Sequence, residues 1–351
     1  WATPSSLYDP AVAAQDGIET ARARIAKTLH CRSDEIYFTA CGSESNNMAI
    51  YGAAMPRRHW GNKIVVTGFE HPSVQLPTRA LKEEGFTVVE IAPERDGHID
   101  TEKFLAAVDK NTVLATCMAV NNETGARQDI AALAKGIKAK NSRTHFHVDA
   151  VQAWLRIPID LQKWPGVDTL SVSGHKIHAP KGIGAMYIRK GLKISPFIRG
   201  GGQENGLRSG TEATGQLAAL AAAVTAGRAT LERDLAAMAD LKQYAMDRLK
   251  SAVPQGKVLV EGGAPHILPI SLVGYKSEVV VRFLSDRGVY ISSGSCHKGK
   301  PSHVYAALKL PKKEQDGALR LSFSYDTTRE DIDALVEGLQ AAQAQLFPSM
   351  S

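Results

Sequence analysis

The sequence predicts an α/β protein: a large domain with a mostly parallel central sheet flanked by helices, then a smaller C-terminal α+β domain. Two observations carry the prediction. Short apolar or β-branched runs alternate with helical patterns over the first two thirds of the chain, the arrangement of a parallel sheet covered by helices. The 351 residues also exceed one ordinary domain, at a prior of about 150 residues each. An Ala- and Leu-rich stretch separates the two parts, and the boundary is placed near residue 231, dividing the chain into 1–231 and 232–351.

Asp9-Pro10 reads as an N-cap and first-turn proline, and Val12, Ile18, Ile25 and Leu29 follow near helical spacing, so a helix opens the chain. Strand-like runs come next at Glu35–Thr39, Lys63–Thr67, Thr87–Ile91, Val113–Met118, His145–Val148, Thr169–Ser173 and Ala185–Ile188. Helical patterns such as Val74–Glu84 and Ile130–Lys140 lie between them. From Glu212 to about Val253 the pattern predicts two helices meeting near Gly227. Shorter strand-like segments follow at Lys257–Val260, Ile267–Leu272, Val289–Ser292 and Ala318–Phe323. A final helix runs from Arg329 to Leu346, capped by Thr328 and early acids.

Composition narrows the function. Hydrophobic residues at 44% and charged residues at 22% exclude a disordered or collagen-like chain. The 42 Lys and Arg against 36 Asp and Glu leave a formal net charge of +6, but these charges are scattered, so no nucleic-acid surface is predicted. No stretch reaches the ~20 apolar residues of a membrane span, and no secretory signal opens the chain; a cytoplasmic protein is expected. The chain begins with Trp1 rather than Met, so an N-terminal piece is expected to have been removed or left uncounted. Cys31, Cys41, Cys117 and Cys296 are far apart without CxxC spacing, which predicts free thiols in a reducing compartment and no metal site.

Ligands of open α/β sheets gather beyond the carboxyl ends of strands, and two segments carry unusual residues there. HVDAVQ (147–152) ends an apolar run on Asp149, a carboxylate in want of a cationic partner such as a protonated ring nitrogen. SVSGHKIHAPKGIGAMYIR (171–189) places Lys176 beside Ser173 and His175, where its amine is a candidate nucleophile for a Schiff base with an aldehyde cofactor. A buried aspartate, a lysine and phosphate ligands are what pyridoxal phosphate chemistry requires. Singly, each has a plainer reading: Asp149 as a helix cap, Lys176 as a surface lysine, His175 as a satisfied turn histidine. FTACGSESNN sets small residues ahead of a helical pattern, so N–H groups of a helix N-terminus can cradle an anion, although an ordinary N-cap reads the same way. GGGQENGLRSGT (200–211) lacks GxGxxG spacing after a strand, and Gly182-Ile183-Gly184 is a lone GxG, so a nicotinamide site is weakly supported. YISSGSCHKGKPSHVYAAL sets Cys296 beside His297 and Lys298, cations that favour a thiolate, among glycines that loosen the loop. Arg320 of ALRLSF suits a bidentate clamp on a carboxylate, or else a structural ion pair.

The SGHK–PKGIGAMY block resembles the cofactor-lysine segment of the cysteine desulfurases, a branch of the class V, fold-type I aminotransferase-like enzymes, and the order of motifs follows that family from PSSL to RLSF. The resemblance implies a fold-type I transferase in which Lys176 bonds pyridoxal 5'-phosphate, Asp149 keeps the pyridine nitrogen protonated, and Gln152 and Asn122 bond the ring hydroxyl. His71 of FEHPSV would stack on the ring and move protons. Gly42, Ser43 (where the family usually has Thr), Ser173 and His175 would form the phosphate cup. Thr211 would reach the partner subunit's phosphate across a homodimer with composite sites. Arg320, Asn122 and Thr3 would bind the substrate L-cysteine, and Cys296 would accept its sulfur as a persulfide, leaving L-alanine. A sulfur-acceptor or scaffold protein, in iron–sulfur cluster assembly or another sulfur-using pathway, is the implied partner.

Three departures mark this chain. The family loop reads SSGSAC where this one reads SSGSC, Thr3 stands where Asn is common, and the family's opening segment with an Ala-Thr-Thr turn does not precede Trp1. Two other functions fit the same residues: a lyase acting on selenocysteine or cysteine sulfinate, and a catalytically weak dimeric scaffold.

Overall fold

The computed structural model describes residues 3–294 and 302–348. They form two compact units: Ile91 and earlier, Ile99–Ala119 and Gln128–Thr230 in the first, and Ala92–His98, Val120–Arg127 and Leu231 onward in the second.

The first unit is built on seven strands, β1 (Ile36–Thr39), β2 (Lys63–Thr67), β3 (Thr87–Ile91), β4 (Thr112–Thr116), β5 (His145–Asp149), β6 (Thr169–Ser173) and β7 (Gly184–Ile188). Its helices are α1 (Asp9–Leu29), α2 (Gly42–Arg57), α3 (Pro72–Ala80), α4 (Thr101–Ala107), α5 (Ile130–Lys140) and α6 (Thr214–Ala229). The sheet order is β1-β7-β6-β5-β4-β2-β3. Pairing is parallel from β6 to β3 and antiparallel at β1–β7 and β7–β6. All seven runs expected to be strands are strands. Strands β4, β5 and β6 are buried along their whole length, as parallel strands covered on both faces must be, whereas β3 lies at the edge and is partly exposed.

Two antiparallel steps return β1 to the direction of β6. Register aligns Thr39 with Gly184 and Gly184 with Ser173, so the carboxyl ends of β1 and β6 fall on one rung. A Cβ at Gly184 would sit 2.9 Å from the Val172 carbonyl oxygen and 3.0 Å from the Cys41 carbonyl carbon, so glycine there lets the chain turn from β1 into α2.

Two expectations for α1 are corrected. Tyr8 is its N-cap, with Asp9 inside the first turn, where its charge opposes the positive helix end. Val12 is 48% exposed, and the buried stripe is instead Ala11, Ile18, Ala21, Ile25 and Leu29. Helix α3 stops at Ala80, earlier than its apolar pattern, and turns carry the chain to Phe86.

The second unit contains α7 (Leu231–Ala252), β8 (Gly256–Val258), β9 (Ile267–Leu272), α8 (Ser277–Ser285), β10 (Ser292–Ser293), α9 (His303–Ala307), α10 (Lys312–Asp316), β11 (Ala318–Ser322) and α11 (Arg329–Gln345). The chain breaks between α6 and α7 at Thr230 rather than at Gly227, because the αR-compatible glycine continues α6. Its sheet, β10-β11-β9-β8, is wholly antiparallel. The segment expected as a strand at Val289–Ser292 pairs only at Ser292–Ser293. One helical stripe, Met238, Leu241, Ala245 and Leu249, packs with Leu268, Ile270, Leu319 and Leu321 of the sheet and Ile332, Leu335 and Leu339 of α11. Thr328 caps α11 by accepting from the Asp331 N–H, and the Asp331 carboxylate accepts from the Thr328 N–H.

Candidate active site

The carboxyl ends of β1, β2, β4, β5 and β6 supply the polar residues of the first unit. Asp149 is the last residue of β5 and only 4% exposed. One carboxylate oxygen accepts from the Val151 N–H at 2.9 Å and the other from the Asn46 amide at 2.8 Å. Burial pushes this carboxyl above the usual range, while the Val151 N–H, neighbouring His71, the Asn46 amide and Lys176 pull the other way. The helix-cap reading of Asp149 fails, since β5 is followed by turns and Asp149 bonds the amide two residues on.

Lys176 lies in a 3-10 turn, Gly174–Ile177, that follows β6 directly. His178 ends that turn at φ 65°, a conformation costly for a residue with a Cβ. Arg156 secures it: one guanidinium nitrogen lies 3.0 Å from the Lys176 carbonyl oxygen, to which it donates, and 3.2 Å from the His178 ring. Lys176 is half-buried, not the surface lysine of the plainer reading. Gly174 is pressed by Ala179 and Ile183 at 3.1 Å from where a Cβ would stand, so the turn packs closely.

Helix α2 starts at Gly42, with Ser43 exposed in its first turn. A Cβ at Gly42 would meet Val151 Cγ2 at 2.6 Å and Ser173 Cβ at 3.6 Å, which sets the α2 N-terminus beside the turn after Asp149 and the end of β6. Ser173 and His175 bond each other at 2.9 Å, and burial holds His175 below the ordinary histidine range, assisted by Lys176 and Lys181. Gly42 and Ser43 open a sixteen-residue helix whose first N–H groups lack partners within it, and Ser173 stands beside that end.

His71 caps α3. Its Nδ1 accepts the Ser73 N–H at 3.2 Å and lies 2.7 Å from the Ser73 hydroxyl. Gln152 is half-buried in the turns after β5. Thr211 is exposed at the end of the glycine-rich loop and lines a cleft with Thr39, Gly182, Arg208 and Gln216. That loop is pinned within the unit by Arg208 on Glu44 at 2.8 Å and by Glu204, which accepts from Arg22 and from the Phe38 N–H at 2.8 Å each. Thr3 is exposed, its N–H donating to the Tyr8 hydroxyl at 3.3 Å.

In the second unit Arg320, on β11, donates to the Asn122 carbonyl at 2.9 Å and to the Ser292 hydroxyl at 3.1 Å. Its Nε and the Asn122 Oδ1 are both buried with no hydrogen-bond partner among the described residues. No acid pairs with it there, which argues against the structural ion pair and leaves a charged donor beside an open acceptor. Cys296, with His297 and Lys298, lies outside the described residues. The three described cysteines are free, and burial holds the Cys117 thiol well above its ordinary range.

Sequence reasoning missed Asn46, Ser73, Glu70, His147 and Arg156. The Glu70 carboxyl is 0% exposed and accepts from the Thr67 hydroxyl at 2.7 Å and the Met118 N–H at 2.8 Å. Burial pushes it up to about 8, the Asp149 charge adding to the effect. A buried acid one residue before His71 was the available signal.

A sheet whose strand ends gather a turn lysine, a buried aspartate and a helix N-terminus defines a fold-type I transferase, an α/β class built to hold pyridoxal phosphate. The chain belongs to the class-V aminotransferase family, whose model matches residues 2–335. It is 38% identical to a NifS/IcsS protein homolog of Lactobacillus delbrueckii subsp. bulgaricus, over 96% of this chain and 88% of that protein. It is 35% identical to a cysteine desulfurase IscS of Dictyoglomus turgidum, over 96% of this chain and 86% of that one. A solved NifS-like protein superimposes with a TM-score of 0.92 at 32% identity, covering 98% of this chain and 92% of the other. No helix among the described residues is long and apolar enough to cross a membrane.

Proposed function

We propose that this chain is a pyridoxal-phosphate-dependent cysteine desulfurase that takes sulfur from L-cysteine onto Cys296 and releases L-alanine. The observation that carries the reading is the grouping of Asp149, His71 and Lys176 beside the α2 N-terminus, in a chain whose relatives are named as cysteine desulfurases. The residues fit the cofactor. Asp149 is a buried carboxylate hydrogen-bonded by neutral donors, which suits a protonated ring nitrogen. The α2 N-terminus with Ser43, Ser173 and His175 suits a phosphate, and Lys176 suits an aldehyde. Asn122 and Gln152 are assigned to the ring hydroxyl, and Thr211 to the phosphate of a partner subunit in a homodimer.

When bound, the cofactor supplies an electron sink for the substrate α-carbon. The chain supplies the rest. Arg156 braces the turn that carries Lys176 by donating to the Lys176 backbone carbonyl and contacting the His178 ring, and the Lys176 amine is assigned the α-proton. Arg320 and the Asn122 side chain bind the amino-acid carboxylate, with Thr3 assigned to the same task. Cys296 attacks the substrate sulfur as a thiolate; the Cβ–S bond breaks with its electron pair left on the carbon, which takes up a proton to complete L-alanine, and the sulfur stays on Cys296 as a persulfide for an acceptor protein. Of the two domains expected from the sequence, 1–231 is assigned the cofactor and 232–351 the thiol loop, with the segments Ala92–His98 and Val120–Arg127 belonging to the second unit.

L-Alanine release from L-cysteine with a reductant tests this, comparing wild type, Cys296→Ala and Lys176→Ala. Alanine from the wild type alone is expected. No alanine from the wild type with pyridoxal phosphate bound would overturn the reading.

A further inference from the structure

The groups behind Asp149 and His71 form one chain of hydrogen bonds whose directions can be assigned. The Asn46 amide nitrogen lies 2.8 Å from an Asp149 carboxylate oxygen and 2.9 Å from the Ser73 hydroxyl, while its carbonyl oxygen lies 3.0 Å from His147 Nε2. The opposite amide orientation would set a carbonyl oxygen against the carboxylate, so Asn46 spends both N–H groups on Asp149 and Ser73. His147 Nε2 then carries a proton for the Asn46 carbonyl, and its Nδ1 accepts from Thr169 at 2.9 Å. Thr169 in turn accepts from His145 Nε2 at 2.8 Å. Burial pushes both histidines down to about 3, so each is neutral and each tautomer is determined.

On the other arm, the Ser73 hydroxyl receives the Asn46 proton and has its own to give to His71 Nδ1 at 2.7 Å. That nitrogen also accepts the Ser73 N–H at 3.2 Å. An N–H donor cannot reverse its role, so Nδ1 holds a lone pair and the ring proton sits on Nε2. A second proton at Nδ1 would have to displace both bonds from Ser73.

We propose that Asn46 and Ser73 are positioning residues that hold His71 as its Nε2–H tautomer, so that this ring donates a hydrogen bond and the α-proton is left to Lys176. The role assigned to Lys176 rests on the desulfurase reading; the tautomer does not. With a lone pair absent from Nε2, His71 has no site there to accept a proton.

Nitrogen-15 spectra of the labelled full chain, before and after addition of pyridoxal phosphate, read the tautomer directly. An Nδ1 resonance of the unprotonated type and a protonated Nε2 are expected in the wild type. Ser73→Ala is expected to shift Nδ1 as it loses the hydroxyl donor, and Ser73→Thr to restore it. The same Ala variant is expected to lower kcat for alanine release several-fold with KM unchanged. A protonated Nδ1 in the wild type, or an Nδ1 resonance indifferent to Ser73→Ala, would overturn the proposal. A wild type that releases no alanine but shows the Nε2–H tautomer would sink the desulfurase reading and leave the tautomer assignment standing.

Discussion

In the first unit, the parallel strands and the turns that follow them bury Glu70, Thr116, His147, Asp149 and Ser171, whereas the antiparallel sheet of the second unit is packed mainly with leucine and isoleucine. The difference follows from topology. Parallel strands all finish on the same side of a sheet, so the residues at their ends converge, and helices on both faces then exclude water from them. An antiparallel sheet sends successive ends to opposite sides, and its polar groups stay separate. The first unit therefore holds a connected network with strongly displaced acids and bases. The second offers an arginine whose Nε has no hydrogen-bond partner among the described residues.

The most damaging break in this contrast is Asp149→Asn, which removes the buried charge at the centre of the network. Alanine release is expected to fall about 10²–10⁴-fold, the range for removing a proton-handling group, and cofactor affinity measured by fluorescence is expected to fall with it. In the second unit, Arg320→Ala is expected to raise KM for L-cysteine by about 10- to 100-fold, matching the loss of about 1.5–3 kcal/mol from a charged hydrogen bond. A kcat defect with KM unchanged would remove Arg320 from substrate binding.

Two pH experiments sharpen the comparison. His145 and His147 are pushed down to about 3 from 6.5 by burial, so the unfolded chain binds more protons between those values. Their neutral forms contribute stability above pH 6.5 that is lost as pH falls toward 3. His147→Gln is expected to flatten the acid slope of urea unfolding by up to a few kcal/mol; an unchanged slope would mean the network protonates without unfolding. Lys242 is pushed down to about 8 from 10.5 by burial, its ammonium donating to the Gly262 and Ala264 carbonyls at 2.8 and 3.1 Å. Here too the unfolded chain binds more protons, between 8 and 10.5, so stability rises with pH across that window. Lys242→Met is expected to abolish this smaller alkaline rise, measured by the same unfolding series.

Much of the site was legible because its signals are local. Lys176 follows an apolar run and a glycine, Asp149 ends one, and Gly42 opens a helix, so strand ends could be found along the chain. Asn46 was not legible, since its partners Asp149 and His147 are 103 and 101 residues away. Arg156 was missed for the same reason; nothing beside it in sequence points to the Lys176 carbonyl. Val12 shows the converse error, an apolar residue at nearly the right spacing that the helix turns outward in favour of Ala11.

By itself the sequence determined the strand-and-helix alternation, the seven strands of the main sheet and the residues suited to an aldehyde, a phosphate and a ring nitrogen, because periodicity and side-chain chemistry act over a few residues. Only the tertiary structure decided that β7 and β1 run antiparallel to their neighbours, that Asn46 joins Asp149 to Ser73, and which nitrogen of His71 accepts a hydrogen bond. Those depend on which buried polar groups meet, and a buried donor or acceptor takes whatever partner the packing brings to it.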